Sequence, residues 1–329
     1  MLLKASDFLI RRWLPLSISA VALVAVFSLA DLQAFRGLAS RAQWDRSPVI
    51  VFVITMIVIA FSWRWRTLLI EKITMRRSML IVALGLGGNQ VLPLRGGDAL
   101  RVVLSSRGGT APSFHASVSA IAVEKVFDLI AVAAFGLAAA ATALAAADNT
   151  VNVLGIAVAI LALAVAALLL ARSAVAISLV RFTVRALRLP ARTYRHLSRP
   201  LHHLQQLTTV GRVLILLAQT AFIWLVLYVL AYLAIAQLVG MSLSIADVMV
   251  LLFAGALGVA IPAAPSGIGT FHAAVVSAFL LLGKPASEGL VLAVAIHGVF
   301  FVALTLSAAL ALAFSSGRRE FARLRGQAL

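Results

Sequence analysis

The chain contains no cysteine, which excludes disulfides and thiolate metal sites. It is also poor in charge. Lys, Arg, Asp and Glu make up 12% of 329 residues, against about 25% in a soluble domain. Acidic groups are scarcest: 11 stand against 28 basic ones, a formal charge of +17. Apolar residues fill the deficit, at 63% and a mean hydropathy of +1.07. A soluble globular domain is excluded on that balance. An isoelectric point near 11.8 would suit a nucleic-acid binder. The basic residues, however, sit between long apolar runs, where membrane topology accounts for them, so no nucleic-acid partner is expected. No Walker loop, nucleophile elbow or metalloprotease motif is present. No catalytic residue, cofactor or metal is therefore assigned.

What the sequence does have is a series of apolar runs. Those at 13–30, 48–66, 114–147, 151–171, 213–239 and 288–315 are long enough to span a bilayer. Lys4, Arg11 and Arg12 precede the first run, and Ser28-Leu29-Ala30 faintly resembles a cleavage site. The run reads as a first spanning helix rather than a signal peptide. Most basic residues fall in four clusters: Lys4 to Arg12, Arg64 to Arg77, Arg172 to Arg212 and Arg318 to Arg325. Short cytoplasmic loops carry such an excess, which places these clusters, and both termini, inside a bacterial inner membrane. Parity then requires 78–113 to begin and end inside, and 248–283 to begin and end outside. Their apolar arms, 78–92, 248–261 and 270–282, are shorter than the roughly 17–25 residues of a spanning helix. Both segments read as re-entrant hairpins of opposite orientation. The fold class expected is thus an all-α polytopic membrane protein with six spanning helices and two such hairpins. The alternative is eight or more ordinary helices.

A shift of 173 residues brings Pro112 onto Pro285, Val126 onto Val299, Phe127 onto Phe300 and Glu124 onto His297. An inverted repeat follows, an arrangement known in transporters. Its first unit is 1–148, containing hairpin 78–113. Residues 149–171 open the second unit, 172–212 form a basic interfacial segment, 213–316 complete the unit with hairpin 248–283, and 317–329 are a tail.

Four constellations can carry chemistry. The first is Asn89, Pro93, Arg95, Gly96, Gly97, Asp98 and Arg101. Proline and glycines stop one helix, Asp98 can cap the next, and bare N–H groups with two arginines suit a phosphate. A loop whose arginines merely face headgroups is the plainer reading. The second is Glu124, Lys125 and Asp128 in one apolar helix, with Glu124 and Asp128 on one face and Lys125 able to pair with Asp128. Ionisable groups there mark a pathway or a self-neutralised cluster. The third is Pro262, Pro265, Ser266, Gly267, Gly269, Thr270 and His272, with Ser266 or Thr270 able to cap the second arm. His272 and His297 suggest a shared cavity or simple packing, and are poor evidence for zinc. The fourth is Arg181, Arg185, Arg188, Arg192, Arg195 and Arg199, whose alternating steps of four and three make one helical stripe. Pro190 would kink or split it. The stripe fits a helix lying on anionic membrane lipids, or a topology signal alone.

Taken in order, Asn89-x-x-x-Pro93-x-Arg95-x-Gly97-Asp98-x-x-Arg101, Glu124-Lys125-x-x-Asp128 and Pro262-x-x-Pro265-Ser266-Gly267-x-Gly269-x-x-His272 resemble the transmembrane region of lysylphosphatidylglycerol synthase and its stand-alone flippase-like relatives. The pattern of that family has Glu-Arg in the middle motif and Pro-Gly-Gly-x-Gly-x-x-Glu in the last, so this chain departs at Lys125, Ser266 and His272. The resemblance implies a bundle that moves lipid between leaflets. Read with the constellations above, Asn89, Arg95, Gly97, Asp98, Arg101, Lys125, Ser266, Gly267, Gly269 and Thr270 are the expected headgroup contacts. Glu124, Asp128, His272 and His297 would shape the cavity or couple a proton. In the synthases an aminoacyl-transferase domain follows the bundle. This chain ends shortly after its last run, so lipid aminoacylation is not expected. A membrane enzyme acting on a lipid-linked phosphate or sugar, and a non-catalytic partner of a lipid-modifying enzyme, remain the alternatives.

Overall fold

A computed structural model describes residues 42–70, 72–107, 112–144, 150–172, 174–187, 191–261 and 265–314. The expected helix at 13–30, its flanking Lys4, Arg11 and Arg12, Arg188, Pro190, Pro262 and the tail 317–329 lie outside these residues. Among the described residues every regular element is a helix.

Helix α1, Ser47–Leu68, opens on a 3-10 turn at Trp44–Arg46 with a proline in its first turn. Helix α2, Met75–Val91, is capped by Thr74, whose hydroxyl accepts from the Arg77 N–H. It stops where Pro93 opens a tight turn, Pro93–Arg95. Leu94 and Arg95 both adopt left-handed backbone there, at φ 53° and 54°. The chain then folds back along α2 as α3, Gly96–Ser105. The polar stretch 95–113 therefore holds a helix, one whose Gly97, Arg101, Val102, Leu104 and Ser105 are buried. Helix α4, Phe114–Leu144, and α5, Thr150–Arg172, form the next antiparallel pair. Two shorter helices follow, α6 at Ala174–Ala186 and α7 at Ala191–Leu207. The arginine stripe is thus divided between two helices. Helix α8, Val210–Leu238, contains a π-helical segment at Phe222–Tyr228. Helix α9, Ile245–Ala260, begins with a reciprocal Ser244–Asp247 capping box. A turn at Pro265–Gly267, left-handed at Ser266 and Gly267, leads into α10, Thr270–Leu281. Helix α11, Ala286–Phe314, closes the described chain. Among the described residues, three stretches, Trp44–Leu68, Val210–Leu238 and Ala286–Ala313, are long and apolar enough to cross a membrane. Helix α4 has 31 residues but carries the Glu124, Lys125 and Asp128 charges.

Helix, short-armed hairpin and long helix occur twice in the same order, as α1, α2–α3, α4 and as α8, α9–α10, α11. Each hairpin turns on two consecutive left-handed residues. In each, a glycine lets the arms touch: Gly85 lies under Arg101 of α3, and Gly258 lies 2.7 Å (from a hypothetical Cβ) from the Thr270 carbonyl of α10. Packing is reciprocal. The long helix α4 of the first half lies on α9 of the second, and α11 lies on α2. The two hairpin turns also meet each other.

Candidate functional site

The arms of the first hairpin place Asp98 and Arg101 against α4, and α1 brings Arg64 from the opposite side. Arg101 and Glu124 form a bidentate pair, Nη1 to Oε1 and Nη2 to Oε2, both at 2.7 Å, and each side chain is 1% exposed. The fork geometry suits a carboxylate and fixes both side chains in one plane. The guanidinium lies 4.0 Å from the centre of the Trp65 ring, whose Nε1 donates to Ser105. Arg64 is fully buried and bonds Asp128 at 2.9 Å and Thr220 Oγ1 at 3.1 Å, with Glu124 Oε2 at 3.8 Å. Trp224, in the π-helical segment, donates to the same Asp128 oxygen at 3.0 Å.

Asp98 links this buried core to the turn. Lys125 Nζ lies 3.2 Å from Oδ2, Arg101 Nη1 3.5 Å from Oδ1, and Arg95 Nε 3.6 Å from Oδ2. Asn89 donates to Asp98 Oδ1 and accepts from the Asp98 N–H, both at 3.1 Å, which staples the hairpin arms. Four cations, Arg64, Arg95, Arg101 and Lys125, thus share three carboxylates, Asp98, Glu124 and Asp128. One positive charge is in excess. Arg64 Nε and Nη2 and Arg101 Nε make no hydrogen bond.

Several expected contacts take different partners. Asp98 is not the cap of α3. Arg95, left-handed, occupies the cap position, and Asp98 stands in the first turn as an ion hub. Lys125 pairs with Asp98 across the hairpin rather than with Asp128, because Asp128 is turned toward Arg64 and Trp224. Glu124 and Asp128 do share a face, bridged by Arg64. The Arg101 fork is filled by Glu124, whereas Arg95 is half exposed and Lys125 about a third exposed beside the turn. Arg64, Thr220, Trp224 and Gln90 are contributors that sequence reasoning did not assign to the site.

At the second turn, Ser266 Oγ donates to Gln90 Oε1 at 2.6 Å, which ties the two hairpins together. Thr270 Oγ1 donates to the Gly267 carbonyl at 3.2 Å. The Gly269 N–H points to His272 Nδ1 at a long 3.4 Å. His272 therefore supplies, at the third helical position, the acceptor a glutamate supplies in a capping box. Its ring stacks on His297 with centroids 5.0 Å apart and planes at 25°, and Phe271 packs edge-on against both. Among the described residues no group of three or more His, Asp or Glu could hold a metal.

The basic segment is anchored to the bundle. Ser119 of α4 donates to the Pro200 carbonyl in α7 at 3.0 Å, and His203 Nε2 bonds the Leu68 carbonyl at the end of α1 at 3.1 Å. On α6, Arg181, Phe182, Arg185 and the following Leu187 are exposed. Burial pushes the His203 imidazole below its ordinary range. The Leu68 hydrogen bond opposes this, and the nearby Lys72 and Arg212 charges add to it. A depressed folded-state value means that the unfolded chain takes up the proton first. The contribution of His203 to stability is then full above the ordinary value of about 6.5 and fades as pH falls below it. The purified protein is expected to melt at lower temperature at pH 5.5 than at pH 7.5, and His203→Gln is expected to narrow that difference. An equal difference in both proteins contradicts the assignment.

Compared with models of known families, residues 12–308 match the one described as lysylphosphatidylglycerol synthase TM region. No curated protein and no solved structure matches the chain.

Proposed function

From the chain's membership of the lysylphosphatidylglycerol synthase TM-region family, which makes it a multi-pass membrane protein, we propose that it moves an anionic phospholipid or lipid-linked phosphate between leaflets of the inner membrane. The observation that carries this reading is the contact of the two hairpin turns through Gln90 and Ser266, with the half-exposed Arg95 beside it. The arms are short. Ten residues of α3 rise about 15 Å and twelve of α10 about 18 Å, against a hydrocarbon core of roughly 30 Å. Hairpins of this length reach the mid-membrane from opposite faces and end there, with both termini of the chain in the cytoplasm. Broken backbone at that depth is tolerated where protein or a polar cavity satisfies it.

In this mechanism Arg95 and Lys125 hold the headgroup phosphate, aided by the first-turn N–H groups of α3 and α10 near Gly97, Gly267, Gly269 and Thr270. Arg101 does not bind lipid directly. It neutralises Glu124 and steadies Asp98, which aims Arg95 and Lys125. Asn89 and Ser266 keep the turns in register, Asp128 fixes Arg64, and the His272–His297 stack lines the cavity behind them. The exposed face of α6 rests on anionic lipid, and a lipid-modifying enzyme is the partner that would supply the cargo.

The test is flipping of labelled phosphatidylglycerol in proteoliposomes. A charge-assisted hydrogen bond contributes about 1.5–3 kcal/mol, and each 1.36 kcal/mol is tenfold in rate. The double variant Arg95→Ala/Lys125→Ala is expected to flip at least tenfold more slowly than the parent at equal reconstitution. An unchanged rate removes the headgroup site from these residues.

A further inference from the structure

On the outer side of the α1–α8 seam lies a groove of about 780 Å³, away from the hairpin turns. Its walls are Trp63, Ile215 and Phe222, about half exposed, and its polar groups are Thr67, Arg212 and Gln219. The volume is that of a small-molecule site, for which roughly 300–1,000 Å³ is usual.

Three features identify what fits there. The first is the start of α8. Thr209 precedes it without a side-chain cap, and the first closing bond runs from the Val213 N–H to the Thr209 carbonyl. The amides of Val210, Gly211 and Arg212 therefore lack helical acceptors. Gly211 leaves open space beside them. The second is Arg212, which lines the same end of the groove and makes no ion pair among the described residues. Amides and guanidinium together suit an anionic oxygen. The third is Gln219, 2% exposed, whose Nε2 donates to Thr67 Oγ1 at 3.0 Å while Oε1 has no partner. A buried amide oxygen without a partner costs about 1–3 kcal/mol, so something polar belongs in the groove. Turned by 180°, the same amide accepts the Thr67 hydroxyl proton on Oε1, in place of the Trp63 carbonyl which that hydroxyl otherwise serves at 3.3 Å, and offers its NH2 outward.

The order along the helix is phosphate site, then amide, then aromatic wall. Seven residues from Arg212 to Gln219 rise about 10 Å, and the Gln219 side chain leans back toward the helix start, which shortens the gap. A diacyl phospholipid has the same order: phosphate, ester carbonyls a few ångströms deeper, then acyl chain. We propose that this groove is a docking site for an anionic phospholipid of the leaflet at the N-terminal end of α8. Arg212 and the first amides of the helix bind its phosphate, Gln219 meets its ester carbonyls, and an acyl chain lies against Trp63 and Phe222. The charge nearby selects an anionic headgroup over a zwitterionic one, since Lys72 and Arg212 both act on the adjoining His203. The groove also backs onto the ion network. Trp63 and Gln219 face it, while the next residues, Arg64 and Thr220, bond each other on the inner side at 3.1 Å.

The experiment is native mass spectrometry of delipidated protein titrated with dioleoyl phosphatidylglycerol. Arg212→Gln removes the charge, and Ala218→Trp fills the groove while leaving each polar group in place. Both are expected to weaken the tightest-bound lipid at least tenfold, whereas Arg46→Gln, an exposed charge at the far end of α1 paired only with Asp45, leaves it unchanged. Brominated phosphatidylglycerol is expected to quench a tryptophan signal that Trp63→Phe removes, which tests the site even if Ala218→Trp does not fold. Undiminished binding in Arg212→Gln overturns the proposal. So does equal affinity for phosphatidylcholine, or displacement of the lipid by an equal concentration of glycerophosphate. Loss of the lipid in Arg95→Ala alone would assign it to the hairpin turns and overturn the groove.

Discussion

Glu124→Leu is expected to destabilise the protein by roughly 3–5 kcal/mol, the usual cost of stripping one partner from a buried ion pair. The network makes this variant worse than its reciprocal. Without Glu124, four cations face two carboxylates, and the Arg101 fork keeps only Asp98, at 3.5 Å. Without Arg101, Glu124 still has Lys125 at 3.7 Å and Arg64 at 3.8 Å. Arg101→Leu is therefore expected to cost less than Glu124→Leu. The double variant is expected to recover most of the larger loss, because both charges leave together and apolar side chains replace them. Arg101→Lys is expected to rescue poorly: an ammonium cannot make the two parallel bonds or lie flat on Trp65. Reversible unfolding in mixed micelles measures all four. A double variant as unstable as the two single losses added together would show that the pair is not energetically coupled.

Much of this arrangement can be read from the sequence, for identifiable reasons. Pro93 and Pro265 cannot continue a helix, so the breaks that make both hairpins are written in the chain. Glu124 and Asp128, four apart, must share a face. The resemblance carried by the three motifs is borne out by the family match over 12–308. What could not be read depends on neighbours distant in the chain. Arg64 stands near the end of a spanning run, where a snorkelling arginine and a buried one look alike. Its burial is decided by Thr220 and Trp224, more than 150 residues away. Trp224 lies in a π-helical segment that leaves no mark in hydrophobic periodicity. Lys125 could have paired within its own helix, and only the return of α3 offers it Asp98 instead. Helix α3 itself is masked by Gly96, Gly97, Asp98 and Arg101. These look like a loop until Arg101, seated over Gly85, becomes part of the core.

That seating makes the hairpin sensitive to a single methyl group. A Cβ on Gly97 would overlap the Gly85 carbonyl oxygen and stand 2.5 Å from the Asn89 amide nitrogen and 2.7 Å from its Oδ1. Two of these three atoms are helical backbone and cannot turn aside. Gly97→Ala must push α3 away from α2, which stretches the paired Asn89–Asp98 bonds and draws Arg101 off Glu124. Overpacking of this kind costs about 1–3 kcal/mol, and the loosened ion pair adds to it. Gly97→Val is expected to leave little folded protein. Gly298 on α11 is the contrast: nothing lies within 4 Å of its would-be Cβ, so Gly298→Ala is expected to be neutral or stabilising by up to about 1 kcal/mol. Gly97 opens α3 where the hairpin arms meet, whereas Gly298 lies in the middle of α11 beside open space. Equal melting temperatures for Gly97→Ala and Gly298→Ala would mean that the arms do not meet as closely as the Asn89–Asp98 bonds require. The alignment of Arg95 and Lys125 would then need another cause.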